Sequence, residues 1–571
     1  MGFQGVKSLP LNIHRRKFNL EVPGSGYCPA IGGRSYDGRL SRGNSMRVLL
    51  LSPPLPLSFL SFPRGVHRMG CKTAFPPLGL ITVAALLPRE WQVRLVDMNV
   101  EPVSESMWAW AEMVMISGMN IQRLGMLALI REAKARNKTV VVGGAYPSSL
   151  PEEVLEAGVD FLVRGEGENT LPRLLEALAQ GRSGGVIAGD TRPDLATSPI
   201  PRFDLLSMGD YAYLSIQTSR GCPHDCEFCD VVQLYGRRPR YKEPGQVTAE
   251  LETLYRLGWR GSVFICDDNF IGNKTRARAI LRELIPWSKS RGEPFVFSTQ
   301  ATVDLGLDVA LIDLMTEANF TDVLLGIESP DAEALISINK HHNRQAAMAA
   351  TIRQIQANGL SIIGSFILGM DGEKPGAGDR IISFIEATSI PFVVVHILQP
   401  VPNTRLWERL QREGRLRVDR IQASPEPDFV GMRPFFVPNR PEEQIMAEYL
   451  KVWATVWEPR RYLERAYRFF LGMRPTREAM ARQGGEAIPA ASPAAAVPLR
   501  RQLRDLHAFM IISWQLGVVS STRWQYWRQL TGIWKKNPSR ALSYLAACAR
   551  GEDMFHFRDF VHQRVTETQG P

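Results

Sequence analysis

Three cysteines lie close together in the chain, and their side chains could bind iron. Cys222, Cys226 and Cys229 have the spacing C-x3-C-x2-C within the stretch Ser219-Arg-Gly-Cys-Pro-His-Asp-Cys-Glu-Phe-Cys-Asp. Three thiolates at this spacing can hold three irons of a 4Fe–4S cubane and leave the fourth iron open to a ligand. An open iron can bind a reactant directly, whereas a cluster held by four cysteines is suited to electron transfer. The spacing therefore predicts a catalytic cluster.

Two other interpretations of these cysteines stay open. A zinc site would use His224 or Asp225 as fourth ligand, although structural zinc usually takes two cysteine hooks from separate segments, and no second hook is present. The cysteines could also be unrelated buried residues. The chain has 7 cysteines, and this clustering is unlike a secreted disulfide framework. We therefore expect a reducing, cytoplasmic location.

The elements that must position the cysteines form a series of strands and helices over residues 206–412. Six apolar strands, each followed by a helical pattern, predict a partial (β/α)6 barrel, and barrel chemistry lies at the carboxyl ends of strands. The cysteine loop directly follows the first strand. The predicted strands are 214–218, 263–266, 295–299, 323–327, 362–367 and 392–398.

An earlier series, over residues 46–180, predicts a doubly wound, Rossmann-like parallel sheet. Its strands are wholly apolar and alternate with amphipathic helices, which is typical of sheets covered on both faces. Ligands of such sheets bind at the carboxyl ends of strands, and several of these ends carry glycine or small residues that let a bulky ligand approach. The predicted strands are 48–51, 93–96, 113–116, 139–142 and 160–163.

The other segments complete the predicted organisation of the 571 residues. Residues 1–45 are expected to be disordered, or to precede a true start at Met46. Residues 181–205 are expected to be a linker, and 413–571 a mainly helical domain interrupted by a low-complexity linker at 484–498. No uncharged apolar run has the roughly 18 residues that a spanning helix needs.

The cysteine stretch resembles the signature of the radical S-adenosylmethionine (SAM) superfamily, which has an aromatic residue, here Phe228, before the third cysteine. The resemblance implies that the open iron chelates SAM and that reductive cleavage gives a 5′-deoxyadenosyl radical. It also implies roles for Asp267 and Asp268, with the adjacent Asn269, near the methionine amino group and for Glu328 on the ribose. The segment from Gly364 through Ser365 to Gly369 would lie along the adenine. His396 and Gln399 on the sixth strand could face substrate or SAM.

The N-terminal series resembles the cobalamin-binding domain of cobalamin-dependent radical SAM proteins. One departure is that Asn99 stands where a cobalt-ligating histidine occurs in the D-x-H-x-x-G motif, so the lower face of cobalt should lack that ligand. The alternative that this sheet domain binds substrate or a partner instead of cobalamin stays open. The residues that the resemblance places on cobalamin are Pro77, Leu78, Asp97, Asn99, Ser117, Gly118, Met119, Asn120, Gln122, Gly143, Gly144, Gly165 and Glu166.

The C-terminal region resembles the helical extension of a subgroup that includes the hopanoid C-2 methylases. Together the resemblances imply a cobalamin-dependent radical SAM enzyme that methylates an unactivated carbon of a small molecule or lipid. Oxidation, cyclisation or rearrangement without methyl transfer is the alternative. An RNA methylthiotransferase is set aside because it would want three more cysteines in the N-terminal domain, where only Cys71 and Cys28 lie.

Charge suggests partners without deciding between them. The net charge is +10, and residues 500–540 hold eight Lys or Arg against one acidic residue, together with several tryptophans. This region could lie on an anionic membrane, or it could be a helical core with a basic outer face. A reductant such as flavodoxin or ferredoxin is expected. A zinc-containing nucleic-acid-binding protein would explain the charge but not the two parallel sheets, so no nucleic-acid partner is expected.

Overall fold

A six-stranded parallel sheet forms the N-terminal part of the chain. The structure is a computed structural model that describes residues 45–58, 63–189, 191–343, 347–423, 433–484 and 509–567. The sheet order is β2-β1-β3-β4-β5-β6, so the strand order reverses between β1 and β3. Its strands are β1 Arg47–Ser52, β2 Gln92–Asp97, β3 Met113–Ser117, β4 Thr139–Gly143, β5 Phe161–Arg164 and β6 Gly185–Ala188.

Helices cover both faces of this sheet, which explains its apolar strands. One core lies on each face, and residues alternate between the two along β1: Leu49 and Leu51 face one core, Val48 and Leu50 the other. The helices are α1 Pro63–Arg68, α2 Leu78–Leu86, α3 Glu105–Trp110, α4 Arg123–Ala135, α5 Ala145–Ser149, α6 Pro151–Glu156 and α7 Gly167–Ala179.

The central part is an open barrel, as predicted. Its six parallel strands follow the order β14-β13-β12-β11-β10-β7, so β7 and β14 are the two edges of the sheet. A two-residue antiparallel ribbon, β8 with β9, closes the base of the cysteine loop. The strands are β7 Tyr213–Ile216, β8 Ser219–Arg220, β9 Arg240–Tyr241, β10 Gly261–Ile265, β11 Phe295–Ala301, β12 Phe320–Glu328, β13 Ser361–Leu368 and β14 Phe392–Ile397.

Several of the barrel helices begin at recognisable caps. Asn273 accepts hydrogen bonds from the backbone of Thr275 and Arg276 at the start of α10, and Pro244 opens α9. The helices are α8 Val231–Tyr235, α9 Pro244–Arg256, α10 Lys274–Ser290, α11 Val309–Glu317, α12 Ala332–Ser337, α13 Met348–Ala357, α14 Ala377–Thr388 and α15 Arg405–Arg412.

The C-terminal helices pack directly on the barrel. Buried residues from Ile216 in β7 to Val565 near the chain end belong to one hydrophobic core. None of the helices in the described segments combines the length and apolar character needed to cross a bilayer. The helices are α16 Val418–Ala423, α17 Glu442–Val456, α18 Pro459–Gly472, α19 Arg477–Gln483, α20 Arg523–Lys536 and α21 Ala541–Glu567, with a π-helical turn at Gln515–Val519 before α20.

The predicted strands are confirmed with shifts of a few residues at their ends, and one strand was not predicted. β6 lies within residues 181–205, where we expected a linker, and pairs with β5 from Gly185 to Ala188. Its four residues are too few to show a strand pattern, and the open edge of β5 supplies the hydrogen bonds that order it. The predictions for residues 1–44 and 485–498 lie outside the described residues.

Candidate functional site

The three cysteines lie on the loop between β8 and α8, beyond the carboxyl end of β7. All three are half-buried. Gly221, before the first of them, has φ +97, and a Cβ there would lie 2.8 Å from the carbonyl oxygen of Gly236. Glycine is therefore required where the loop turns away from the β8–β9 ribbon.

Burial sets the state of the thiols. It raises the pKa of Cys226 to about 11 and raises the pKa values of Cys222 and Cys229. The buried ammonium of Lys340 acts in the opposite direction on Cys226. Thiols of this kind lose their protons when iron binds, because metal ligands must be thiolates.

The proposed zinc ligands are engaged elsewhere. The ring of His224 stacks on His342 with centroids 3.6 Å apart, and Asp225 pairs with Arg405 and Arg237. In the described segments, no group of three or more His, Cys, Asp or Glu side chains is arranged around one metal position. In a cubane, each thiolate binds a different iron.

Asp267 and Asp268, at the end of β10, have different surroundings. Asp267 is fully buried, and its carboxylate accepts hydrogen bonds from the backbone and hydroxyls of Thr218 and Ser219. It fixes the start of the cysteine loop and has no surface for a ligand. Asp268 is half-buried and accepts a 2.7 Å hydrogen bond from the Gly221 amide; burial raises its pKa to about 6. Of the two, Asp268 is the one placed to meet a ligand.

A buried ion pair lies at the end of β12. Glu328 Oε1 accepts a 2.5 Å hydrogen bond from Lys340 Nζ, and both side chains are less than 10% exposed, at 6% and 7%. Glu328 has φ +63, a costly conformation for a residue with a Cβ that is found mainly at functional sites. A Cβ on Gly326 would lie 2.4 Å from Glu328 Oε1, so a side chain at this position would displace the ion pair.

The remaining barrel residues of the prediction occupy mixed positions. Phe228 is partly buried against the core that contains Ile338 and Ile367. Ser365 is half-buried on β13, and the Gly369 amide donates to Glu373 Oε2 at 2.9 Å. Gln399 accepts from the Phe435 amide and donates to the Arg433 carbonyl, so it anchors the segment after α16.

A cavity of about 1210 Å³ separates the N-terminal sheet from the cysteine loop. This volume is above the roughly 300–1,000 Å³ of ordinary small-molecule pockets. On one side it is lined by the ends of β3, β4 and β5, next to the point where the strand order reverses. On the other side it is lined by residues that flank the cysteines, including Arg220, Asp230 and Tyr235, while the thiols themselves lie outside the lining.

The predicted cobalamin residues divide into two groups around this cavity. Leu78, Ser117, Met119, Gly143, Gly144, Gly165 and Glu166 line it. The lining does not include Pro77, Asp97, Asn99, Gly118, Asn120 or Gln122.

The second group includes residues that hold strand ends together. Asn99 accepts from the Leu55 amide and donates to Asp97, and Gln122 donates to the Pro53 carbonyl. Asp97 in turn accepts from the hydroxyl of Tyr211, at the entrance to the barrel. These three residues therefore position the loops around the cavity without lining it.

An ion-pair cluster joins the cavity's two walls. Arg220, two residues before Cys222, pairs with Glu166 at 2.7 Å and Glu168 at 2.9 Å, and Arg240 also pairs with Glu166 at 2.7 Å. Both carboxylates are at most 5% exposed. The charge of Arg220 is therefore directed at these two carboxylates, and all three side chains also line the cavity.

Two side chains near the site, Lys340 and Asn343, were missed by the sequence analysis, whereas Asn269 was included with the two aspartates. No sequence motif contains Lys340, which lies 12 residues after its partner Glu328. Asn269 and Asn343 each have a buried amide oxygen without a hydrogen-bond partner in the described residues. Asn269 directly follows the two aspartates, and Asn343 donates to the Gly326 carbonyl. The adjacent motif was a usable signal for Asn269, but only the folded chain places the other two.

Comparison with known proteins identifies three matching families along the chain. A B12 binding domain matches residues 71–175, and the radical SAM superfamily matches residues 216–385. A domain of unknown function (DUF4070) matches residues 404–567. The first range contains β2 to β5 of the N-terminal sheet, and the second contains β8 to β13 of the central part.

Two relatives match over most of their length. An uncharacterized methyltransferase of Synechocystis sp. is 44% identical over 522 residues, which is 91% of this chain and 94% of the relative. The hopanoid C-2 methylase of Rhodopseudomonas palustris is 36% identical over 426 residues, 74% of this chain and 79% of the methylase. The chain belongs to the cobalamin-binding radical SAM family.

One solved structure has a similar fold. OxsB, a cobalamin-dependent S-adenosylmethionine radical enzyme with aqua-cobalamin and S-adenosylmethionine bound, has a TM-score of 0.55 at 16% identity. The match covers 93% of this chain and 82% of OxsB. This family member therefore is an enzyme, and its cofactors are a 4Fe–4S cluster, SAM and cobalamin.

The residues present fit these groups. The cavity is large, and Gly144 and Gly165, both with positive φ, give its sheet wall a surface without side chains that a corrin could approach. The three half-buried thiols share one loop. The unpartnered oxygen of Asn269, next to Asp268, could accept a hydrogen bond from an amino group.

Proposed function

We propose that this enzyme methylates an unactivated carbon of a polycyclic lipid of the hopanoid type. The observation that carries the proposal is the shared cavity: the strand ends of the B12 binding domain and the residues beside the cysteine motif line one space of about 1210 Å³. The methylase of R. palustris, 36% identical, supports the lipid class. When bound, the cluster and SAM supply hydrogen abstraction from the carbon, and cobalamin supplies the methyl group.

The chain's own residues bind and orient the reactants. Cys222, Cys226 and Cys229 would hold the cluster. Asp268 and the amide oxygen of Asn269 would accept hydrogen bonds from the methionine ammonium group of SAM. Together they would fix the methionine end of SAM next to the cysteine loop.

The ribose end of SAM would be held from β12 and β13. Glu328, fixed by Lys340, would accept hydrogen bonds from the ribose hydroxyls, and the segment from Ser365 to Gly369 would lie along the adenine. Leu78, Ser117, Met119 and the Gly143–Gly144 turn would contact cobalamin from the sheet wall. No histidine of this sheet would bind the cofactor, because position 99 is Asn and the described residues that line the cavity include no histidine.

Electron supply and location complete the proposal. The reaction needs one electron at a time, and we propose a flavodoxin or ferredoxin as its source. A lipid substrate resides in a bilayer, so we also propose that the enzyme works in the cytoplasm at a membrane surface.

The proposal is tested with oxygen-free, reconstituted enzyme, SAM, a reductant, cobalamin and a hopanoid substrate. We expect 5′-deoxyadenosine and a product heavier by one methyl group. Cys226→Ala should lose both, together with the iron, because a cubane held by two thiolates is unstable. Cys548→Ala is the matched control, since it removes a buried thiol from α21 and should retain iron.

Two results would contradict the proposal. Unchanged product mass with full 5′-deoxyadenosine formation would point to oxidation or rearrangement instead of methyl transfer. Retention of iron and activity in Cys226→Ala would remove the cluster assignment itself.

A further inference from the structure

Helix α20 exposes three tryptophans on one side. Trp524 and Trp534 are 76% and 68% exposed, and Trp527 is 40% exposed. Their positions, with Thr531 between them, are three or four residues apart, so they share one helix face. Indole rings are rarely left so exposed, and a contiguous apolar patch on a soluble protein marks an interaction surface.

The patch continues onto neighbouring segments. The Trp527 indole donates a 2.8 Å hydrogen bond to the Gly517 carbonyl, which joins α20 to the π-helical turn before it. Just before and within that turn, Trp514 and Val519 are 62% and 66% exposed. Apolar side chains are therefore exposed on two adjoining segments.

The inner side of α20 prevents the helix from turning its tryptophans inward. Tyr526 and Ile533 are fully buried in the core shared with the barrel. Gln529, on the same side, donates to Glu464 and accepts from the Tyr544 hydroxyl. Because these contacts fix the rotation of α20 about its axis, the exposure of the outer face is built into the fold.

The charges of the chain segment that carries the patch have one sign. Residues 509–551 contain six Lys or Arg and no Asp or Glu. Arg528 and Lys535 lie on the same face as the tryptophans, and Lys536 follows at the helix end; all three are exposed and form no ion pair with a described carboxylate. The surface is therefore suited to a negatively charged partner.

We propose that this surface, the Trp–Lys face (Trp524, Trp527, Arg528, Trp534, Lys535 and Lys536), binds the interface of an anionic lipid bilayer. Indole rings lie at the level of the headgroups, with the apolar body toward the acyl chains and the N–H toward water. Lysine and arginine bind the phosphates around them. A second copy of this chain is a poorer occupant, since two basic faces would repel each other.

This inference rests on the proposed function for its purpose, namely access to a lipid substrate. Contact with the bilayer itself needs neither cofactors nor turnover. Binding can therefore be measured apart from catalysis, and methylation of detergent-dispersed substrate can be measured apart from binding. Failure of vesicle binding and failure of methylation would therefore be distinguishable.

The test is co-sedimentation of the full chain with vesicles of phosphatidylcholine alone or mixed with phosphatidylglycerol. We expect binding to the mixed vesicles that falls as the salt is raised toward about 1 M. Lys535→Gln with Lys536→Gln should weaken binding about 10- to 30-fold, since each basic residue at an anionic surface contributes roughly fivefold. Trp524→Ala with Trp534→Ala should weaken it at least about tenfold.

Matched control variants distinguish the Trp–Lys face from a general effect of lost charge or lost apolar surface. Arg131→Gln with Arg353→Gln removes two exposed charges from helices of the sheet domain and the barrel, and Leu307→Ala removes another exposed apolar side chain, 65% exposed. Both should bind vesicles like the parent chain. The proposal is overturned if the parent does not bind, or if the controls lose as much binding as the face variants. It is also overturned if the face variants lose only self-association or flavodoxin binding.

Discussion

At the scale of single residues, variants of the Glu328–Lys340 pair can distinguish a role in ligand binding from a role in fold stability. Both side chains are buried, so removing one charge leaves the other unpaired at a cost of about 3–5 kcal/mol. Glu328→Gln should therefore lower both thermal stability and SAM affinity. Adding Lys340→Met should restore most of the stability, because a neutral pair leaves no buried charge. Affinity for SAM should stay about 10- to 100-fold weaker, since the carboxylate that would bind the ribose is still missing.

Melting temperatures of the cofactor-free variants and SAM binding by equilibrium dialysis provide the two readouts. Lys340→Met alone serves as the third corner of the cycle and should be destabilised with Glu328 still present. If Glu328→Gln binds SAM as the parent does, Glu328 has only a structural role.

At this scale, the role of a residue could be predicted from sequence only where the residues that act together are close in the chain. The cysteine spacing identified the cluster loop because all three ligands lie on one stretch. Asp267 and Asp268 are neighbours in sequence and looked equivalent, yet one is sealed by Thr218 and Ser219 while the other stays half-buried. That difference arises from packing between β7 and β10, which no local pattern records.

At the scale of elements, α1 docks on α21 through a carboxylate. Asp553 Oδ1 accepts a 3.0 Å hydrogen bond from the Gly65 amide, and the neighbouring Glu552 pairs with Arg68 at 2.9 Å. Burial raises the pKa of Asp553 to about 6, against the lowering effect of Arg68 and Arg64. The folded chain therefore holds the Asp553 proton more tightly than the unfolded chain does.

The sign of the resulting pH effect follows from linkage. Asp553 contributes stability that declines as the pH rises from about 4, its unfolded pKa, to about 6, and is constant above that. Asp553→Asn keeps an acceptor for Gly65 but cannot titrate. Relative to the parent, this variant should therefore gain up to about 2–3 kcal/mol of stability between pH 4 and pH 7.

Thermal unfolding of parent and variant across this pH range measures the difference. Asp559→Asn, on the same helix but with its side chain 63% exposed, should show no such trend. If the difference in stability between Asp553→Asn and the parent is the same at every pH, the pKa of Asp553 is not raised in the folded chain.

Strands and helices could be predicted from sequence where their apolar pattern extends over enough residues. Twelve strands of the two parallel sheets are present, and eleven of them were visible as apolar runs. β6 was missed because its pairing with β5, not its own composition, makes it a strand. The common core of the barrel and the C-terminal helices was missed too, since a helical pattern states which side is apolar but not what that side covers.

At the scale of the whole molecule, Arg220 links the two cofactor-binding parts. It leads into the cysteine loop, and its partners Glu166 and Glu168 lie at the end of β5 and the start of α7. Side chains of this cluster are at most 18% exposed, so the bonds are little screened by water. Arg220 therefore fixes the position of the loop relative to the sheet wall of the cavity.

Arg220→Gln should therefore reduce methyl transfer more than it reduces SAM cleavage. Cleavage depends on the cysteine loop and its immediate neighbours, whereas methyl transfer also needs the sheet wall at the correct distance, and a shift of about 1 Å can cost 100-fold. We expect 5′-deoxyadenosine to form at a moderately reduced rate while methylated product per 5′-deoxyadenosine falls at least about tenfold. Arg278→Gln, which breaks an Arg–Asp pair with Asp308 within the barrel, should leave that ratio unchanged. If the ratio is the same in both variants, the ion-pair cluster stabilises the fold without coupling the two reactions.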